Sequence, residues 1–196
     1  MSLRRALLLL ALACSPAVGC SSCKGADGSG DAADAAAVEA AVIPVVTRTP
    51  EDERLWVQAK DGDEDELRRL AAREGATGLV ERSTDAAFKV TALRAMAYAE
   101  GFAQLPALGA AAATAPEADA TIAAESAAIL AARRRSQVDP EDAEELHDGC
   151  GALLGAAKDT TRPKKVRVAA IRALRMLGDQ PGCVDLAQVP SDLDAR

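Results

Sequence analysis

Apolar side chains recur at intervals of three and four residues through most of the chain after residue 50, a spacing that predicts amphipathic α-helices. The pattern is clearest where Phe88, Ala92, Met96 and Ala99 fall on one stripe. Each predicted helix is short and is followed by a break. We predict helices over 51–60, 64–74, 77–83, 86–99, 102–113, 116–135, 139–157 and 162–177, with a short one at 183–186.

Several helix ends are marked by residues that favour helix termini. Thr49 precedes Pro50 and two acidic residues, which predicts an N-cap, a proline at the first helical position and acids at the positive end of the helix dipole. Gly75 is placed to end a helix. Residues 83–85, Ser-Thr-Asp, are placed to cap the next one.

Two segments of the chain are similar to each other. Val90, Ala92, Arg94 and Ala95 recur as Val168, Ala170, Arg172 and Ala173, an offset of 78 residues, or two periods of 39. A middle copy is expected near residue 129, where Ile129-Leu130-Ala131-Ala132 matches only weakly. Similarity at a fixed period is typical of repeat proteins, and generic likeness between Ala-rich helices is the alternative explanation.

The period and the second segment resemble the bacterial HEAT-repeat family, whose units run about 40 residues. The resemblance covers roughly residues 50–190 and is strongest over 163–179. There, Val166-Arg167, Ala170, Ala173-Leu174, Leu177 and Gly178-Asp179 follow the second-helix pattern of such units. The resemblance implies an all-α fold, a short α-solenoid of HEAT-like helical hairpins over residues 50–196. In such a stack each unit buries its apolar stripe against its neighbours.

The first twenty residues have the zones of an export signal. Arg4 and Arg5 precede an apolar run over 6–14, which is too short to span a bilayer but has the length of a signal segment. Ala17-Val18-Gly19-Cys20 resembles the bacterial lipobox, although the usual pattern has Leu at the position of Ala17. The resemblance implies that residues 1–19 are a lipoprotein signal peptide and that Cys20 is lipidated. A soluble secreted protein cleaved nearby is the alternative.

The composition of the segment after Cys20 predicts a flexible tether. Residues 20–49 are rich in Ala, Asp, Gly and Ser and hold no aromatic residue, so they bury too little apolar surface to fold alone. Ser21 replaces the Asp that commonly retains a lipoprotein at the inner membrane. We therefore expect an extracytoplasmic protein anchored to a bacterial membrane, with the outer membrane facing the periplasm favoured.

Composition limits the classes of partner. The formal net charge is −7, and the expected signal peptide carries two Arg and no acid, so the mature chain would be more acidic still. This charge argues against nucleic acid as a partner and disfavours electrostatic adsorption to anionic lipid surfaces. Aromatic residues are only 2% of the chain, and the scarcity of aromatic and β-branched residues favours stacked helices over a β-sandwich.

Of the five cysteines, Cys23, Cys150 and Cys183 would remain after removal of the signal and lipidation of Cys20. Two of three thiols usually pair in an oxidising compartment. We predict a disulfide between Cys150 and Cys183 because both lie in the predicted domain. Cys23 would then lie in the tether, either free or paired between molecules.

Candidate sites for chemistry are few. His147 and Cys150 are three residues apart on a predicted helix, and with Cys183 they form a conceivable zinc site, although a disulfide and a surface histidine explain the same residues. Residues 61–66 resemble a calcium loop but lack Gly at its sixth position, so a helix N-terminus is the better interpretation. No G-x-S-x-G elbow, phosphate-binding loop, dinucleotide fingerprint or H-E-x-x-H motif occurs. We expect no catalytic residue, no metal and no cofactor.

Two basic clusters, Arg133-Arg134-Arg135 and Lys164-Lys165 with Arg167, would suit an acidic partner, or would simply be charged helix ends. The sequence therefore predicts a lipid-anchored module for protein–protein interaction or scaffolding, with an unidentified protein partner. The alternative is an enzyme or metal-binding accessory protein that uses the region of His147, Cys150 and Cys183.

Overall fold

The computed structural model describes residues 48–191. Over these residues the fold is all-α: it consists of α-helices and short 3-10 turns, without a β-strand. None of the described helices combines the length and the hydrophobicity needed to cross a bilayer. The predicted signal peptide (1–19), the lipidated Cys20, Cys23 and nearly all of the predicted tether (20–49) lie outside the described residues. The helices are α1 (Pro50–Gln58), α2 (Glu64–Arg82), α3 (Lys89–Met96), α4 (Leu105–Thr114), α5 (Glu117–Arg134), α6 (Ala143–Lys158) and α7 (Lys164–Leu177).

Local capping explains where the first helices begin and break. The Thr49 hydroxyl accepts a hydrogen bond from the Asp52 amide at 3.3 Å, and the Asp52 carboxylate accepts one from the Thr49 amide at 2.7 Å, which completes the capping box. Asp63 caps α2 through the amides of Asp65 and Glu66. Gly75, at φ 65°, interrupts α2, which confirms the helix end predicted there.

Other helix ends differ from the predictions. α3 begins at Lys89 rather than residue 86, because the Asp85 side chain accepts a hydrogen bond from the Ala87 amide inside a series of turns instead of capping a helix. α4 begins at Leu105 rather than residue 102. The helix expected from 139 starts as a 3-10 turn, and the one expected at 183–186 is a 3-10 turn at Leu186–Gln188.

Three helices lie side by side in one layer, since α5 contacts both α3 and α7. Lys89 at the start of α3 pairs with Asp119 near the start of α5 at 3.5 Å. Arg133 near the end of α5 donates a hydrogen bond to the Ala97 carbonyl just after α3 at 2.9 Å. These contacts show that α3 and α5 run in the same direction. On the other side, α4 packs against α5 and α6, and α6 packs against α7.

The register between α5 and α7 corrects the expected 39-residue period. Arg162, before α7, donates a hydrogen bond to the Ala115 carbonyl, before α5, across a separation of 47 residues, and Gln180 reaches the Arg135 carbonyl across 45. At this offset Val168 of α7 aligns with residue 121 of α5 rather than with Ile129, the position predicted for the middle copy. A 47-residue offset instead relates the buried Ala123 and Ala124 of α5 to Ala170 and Ile171 of α7. The exposed fractions of these side chains are 0% for Ala123, Ala124 and Ala170 and 2% for Ile171.

The core depends on small residues that allow close helix contact. A Cβ placed on Gly109 of α4 would lie 2.8 Å from the Gly149 carbonyl oxygen of α6, and a Cβ on Gly149 would lie 2.5 Å from Leu105 Cγ. Real Cβ atoms do not approach other atoms so closely, so both glycines are required by the distance between α4 and α6. By contrast, a Cβ on Gly151 or Gly155, exposed on the same helix, meets no atom within 4 Å.

These two classes of glycine give a matched test. We expect Gly149→Ala to lower the free energy of unfolding by about 1–3 kcal/mol, because the added methyl overpacks the interface between α4 and α6. We expect Gly151→Ala to raise it by about 0.5–1 kcal/mol, since alanine is the better helix former. Urea denaturation followed by circular dichroism measures both. Equal effects of the two substitutions would contradict the glycine-mediated contact.

Candidate functional site

The cysteines predicted to pair are joined. Cys150 on α6 and Cys183, after α7, form a disulfide with a Cα–Cα distance of 5.4 Å. Cys150 is fully buried, and Gly182 beside the bond lies against the backbone of Ala143 at the start of α6. The disulfide thus holds the segment after α7 against α6.

The same bond removes two of the three ligands of the zinc site considered from sequence, because a disulfide sulfur is not a thiolate. His147 is exposed on α6. Across residues 48–191, no group of three His, Cys, Asp or Glu side chains is arranged to hold a metal. The acidic run at 61–66 likewise serves as a helix start, with Asp63 as the cap and Glu64 and Glu66 paired to arginines of α2.

An open depression of about 690 Å³ lies beside α1, and the one buried carboxylate in its wall, Asp52, is paired with Arg73. Arg73 Nε donates a hydrogen bond to Asp52 Oδ1 at 2.7 Å. The hydrogen bond from Arg73, with those from the Thr49 amide and hydroxyl, holds the pKa of Asp52 well below its usual range. The carboxylate is thus committed to the capping of α1. The lining residues are Glu51, Asp52, Arg54, Leu55, Gln58 and Arg73.

A second polar cluster fastens α1 to α2. The Trp56 indole N–H donates to Glu74 Oε1 at 2.7 Å, and Arg48 donates to both oxygens of the same carboxylate at 3.2–3.3 Å. The Glu74 side chain is only 3% exposed, so its charge is compensated inside the fold. These hydrogen bonds attach α1 to α2, and they occupy the Glu74 carboxylate within the fold.

The exposed side of α7 is different, because its charges are not paired with any carboxylate of the described residues. Successive helical residues are about 100° apart, so Lys164, Lys165, Val168, Arg172 and Arg175 fall within about 100° of the helix circumference. The four cations are exposed and Val168 is partly exposed between them. We call these five residues the basic face. α7 contains no acidic residue, so no carboxylate within the helix can pair with this face.

The elements around α7 that the structure describes also place no carboxylate within ion-pair distance of the basic face. Among the residues that the structure describes, Lys164, Lys165, Arg172 and Arg175 form no ion pair within 4.0 Å. The nearest polar contact is a long hydrogen bond, 3.5 Å, from Arg175 to the Pro190 carbonyl. On α2, in contrast, Arg68 and Arg69 each pair with a glutamate of the same helix.

The other basic cluster predicted from sequence is largely used within the fold. Arg133 donates to the carbonyl of Ala97 and stacks over the Tyr98 ring at 5.0 Å. Arg134 pairs with Glu100 at 3.7 Å. These arginines connect the ends of α3 and α5, whereas Arg135 is exposed. The cluster at Arg133–Arg135 is therefore not a second surface of free cations like the basic face.

Sequence reasoning located part of the basic face and missed the rest. The sequence groups Lys164 and Lys165 with Arg167, but Arg167 points elsewhere and donates to the Ala157 carbonyl of α6 at 3.3 Å. Arg172 and Arg175 were not assigned to the cluster. Their spacing of seven and ten residues from Lys165 is helical and would have revealed them.

Comparison of the chain with protein-family models, with curated proteins and with solved structures finds no match.

Proposed function

We propose that this protein is a lipid-anchored, extracytoplasmic helical-repeat module that binds a protein partner and holds it near a bacterial membrane. Cys20 would carry the lipid, and residues 21–49 would act as a tether with an r.m.s. reach of about 30 Å. Two or more acyl chains anchor a protein stably, whereas one does so only marginally. The protein would bind its partner without catalysing a reaction.

The order of helix contacts supports a short α-solenoid as the framework. α4 and α5 are joined by a short turn, as are α6 and α7, and each pair contacts the next through α4 with α6 and through α5 with α7. Stacked hairpins of this kind bury their apolar stripes mainly against neighbouring units. The outer sides of α3, α5 and α7 then form one surface, which is where we place the partner.

The basic face of α7 is the observation that carries the proposal. The chain as a whole is acidic, yet this helix contributes five cations and no acid. Exposed cations that the fold does not use internally are available to a partner. Partly exposed aliphatic side chains on the same layer, Val90, Ile129 and Val168, add apolar contact area.

Position-specific crosslinking tests the proposal. A photoreactive amino acid would be placed at Val90, Ile129 or Val168 of the full-length, membrane-anchored protein, and at the exposed Gly155 of α6 as a matched control. We expect a discrete protein adduct from at least one position on the α3–α5–α7 layer and none from Gly155, with loss of the adduct in a Cys20→Ala variant. Uniform adducts at all positions, or none at any, would contradict the proposed function.

A further inference from the structure

We infer that the basic face of α7 docks an acidic amphipathic helix of a partner protein. The inference rests on the proposed function and names the chemistry of its partner. The positive charge of the face, the helical spacing of its cations and the aliphatic side chain between them favour such a partner.

The spacing of the basic face sets the form of the occupant. Lys164 and Arg175 are eleven residues apart, about 16 Å along the helix axis at 1.5 Å per residue. Val168 lies between them, with cations on both sides. A partner surface complementary to the basic face has carboxylates at both of its ends and one or two aliphatic side chains between them. A helix of about three turns, with glutamates flanking a leucine stripe, supplies that pattern.

The charge distribution favours a peptide over an anionic membrane. The whole chain has a net charge of −7, so a large anionic surface would repel most of the molecule. Acids are dense at the start of α6, where residues 139–148 include six carboxylates and no Lys or Arg. A short acidic helix feels mainly the local cations, because exposed charges are screened beyond about 8 Å at physiological salt.

Within the chain, nothing described neutralises this face. The carboxylates of α5 that lie in the same layer are Glu117, Asp119 and Glu125, and of these Asp119 is paired with Lys89. An external acidic partner therefore forms ion pairs without breaking existing ones. Val168 adds a contact that distinguishes an amphipathic helix from a uniformly charged polymer.

Binding to defined probes tests this inference on the full-length lipidated protein in non-ionic detergent. The probe is a fluorescein-labelled 14-residue helical peptide with glutamates flanking a leucine stripe, and its control is a scrambled peptide of the same composition. We expect micromolar binding of the patterned peptide, weakened about tenfold or more by Arg172→Glu and several-fold by Val168→Ser. Lys158→Glu, which removes an exposed cation at the end of α6, should change the affinity less than twofold.

Three outcomes would overturn the inference: equal affinity for the patterned and scrambled peptides, unchanged affinity in Arg172→Glu, or binding of the unanchored Cys20→Ala protein to vesicles with 30% phosphatidylglycerol without binding to the peptide. Circular dichroism of each variant confirms that the fold is intact. Crosslinks from Val90 or Ile129 with no effect of Arg172→Glu would retain the proposed function and reject only the role of α7. Peptide binding without any crosslink in the anchored protein would retain the peptide site on α7 and reject the proposed function.

Discussion

Replacing Trp56 by alanine is expected to lower the free energy of unfolding by about 3–5 kcal/mol, in the range for large aromatic side chains removed from a core. Trp56 is completely buried, and its ring meets that of Phe88 edge to face at 5.4 Å. The Arg82 guanidinium lies over both rings, 5.5 Å from the Trp56 centroid and 4.5 Å from that of Phe88. The substitution removes this packing and one of the donors to Glu74.

Trp56→Phe separates the two contributions. Phenylalanine retains a ring against Phe88 but has no N–H for Glu74, whose carboxylate then keeps only Arg48. A hydrogen bond to a charged group contributes about 1.5–3 kcal/mol, so we expect the phenylalanine variant to lie between the wild type and Trp56→Ala. Urea denaturation followed by far-ultraviolet circular dichroism measures all three proteins, since the variants lack the indole fluorophore.

Hydrogen exchange shows whether α1 belongs to the cooperative unit. Apart from the 3-10 turn that follows it, α1 packs mainly on α2, so it could detach without unfolding the remaining helices. If Trp56→Ala leaves the denaturation midpoint unchanged and accelerates exchange only in α1, the large global effect predicted here is wrong. Slower exchange in α1 than in α5 would conflict with the packing itself.

The helices with strong local signals were predicted well from the sequence. α7 was expected over 162–177 and spans Lys164–Leu177, because its apolar and basic residues separate cleanly around the helix and Pro163 precedes it. α3 was predicted less accurately. The choice of Asp85 between capping a helix and closing a turn depends on how residues 83–88 pack, which a local pattern does not contain.

The register between repeats could not be predicted from the sequence, because it too depends on tertiary packing. α5 is so rich in alanine that several stripes around it are equally small, so an Ala-rich segment matches its neighbours at more than one offset. Only tertiary contacts, such as Arg162 with the Ala115 carbonyl, select the observed register. The buried Glu74 cluster was missed similarly, because it joins residues 18 and 26 positions apart.

The basic character of the candidate site could be predicted from the sequence, but the set of cations that remain free could not. Charge and helical spacing identify cations on one side of α7 from the sequence alone. Whether a cation is available depends on its neighbours, and Arg133 and Arg134 are engaged by the end of α3 through Ala97, Tyr98 and Glu100. The disulfide was predicted correctly because exclusion left two cysteines within the domain.

Reduction of the disulfide should lower the free energy of unfolding by about 3–4 kcal/mol, the entropic value for a loop with a sequence separation of 33 residues. The bond joins α6 to the segment after α7, where Leu186 lies against Gly178 and Gly182 against Ala143. After reduction the segment is held only by noncovalent contacts, which include the packing of Val184 and Val189 against the core and the hydrogen bond from Arg175 to the Pro190 carbonyl. The unfolded chain meanwhile regains the freedom that the closed loop removed.

Urea denaturation with and without dithiothreitol, in a Cys23→Ser background that prevents mispairing, measures the effect. The matched control is Cys150→Ala/Cys183→Ala, which has no bond to reduce and should not respond to dithiothreitol. The difference between the reduced protein and this double variant gives the packing contribution of the two sulfur atoms, of which that of Cys150 is fully buried. If thiol quantification shows complete reduction and the unfolding free energy stays constant, the crosslink does not stabilise the fold, and the segment after α7 is held by its packing alone.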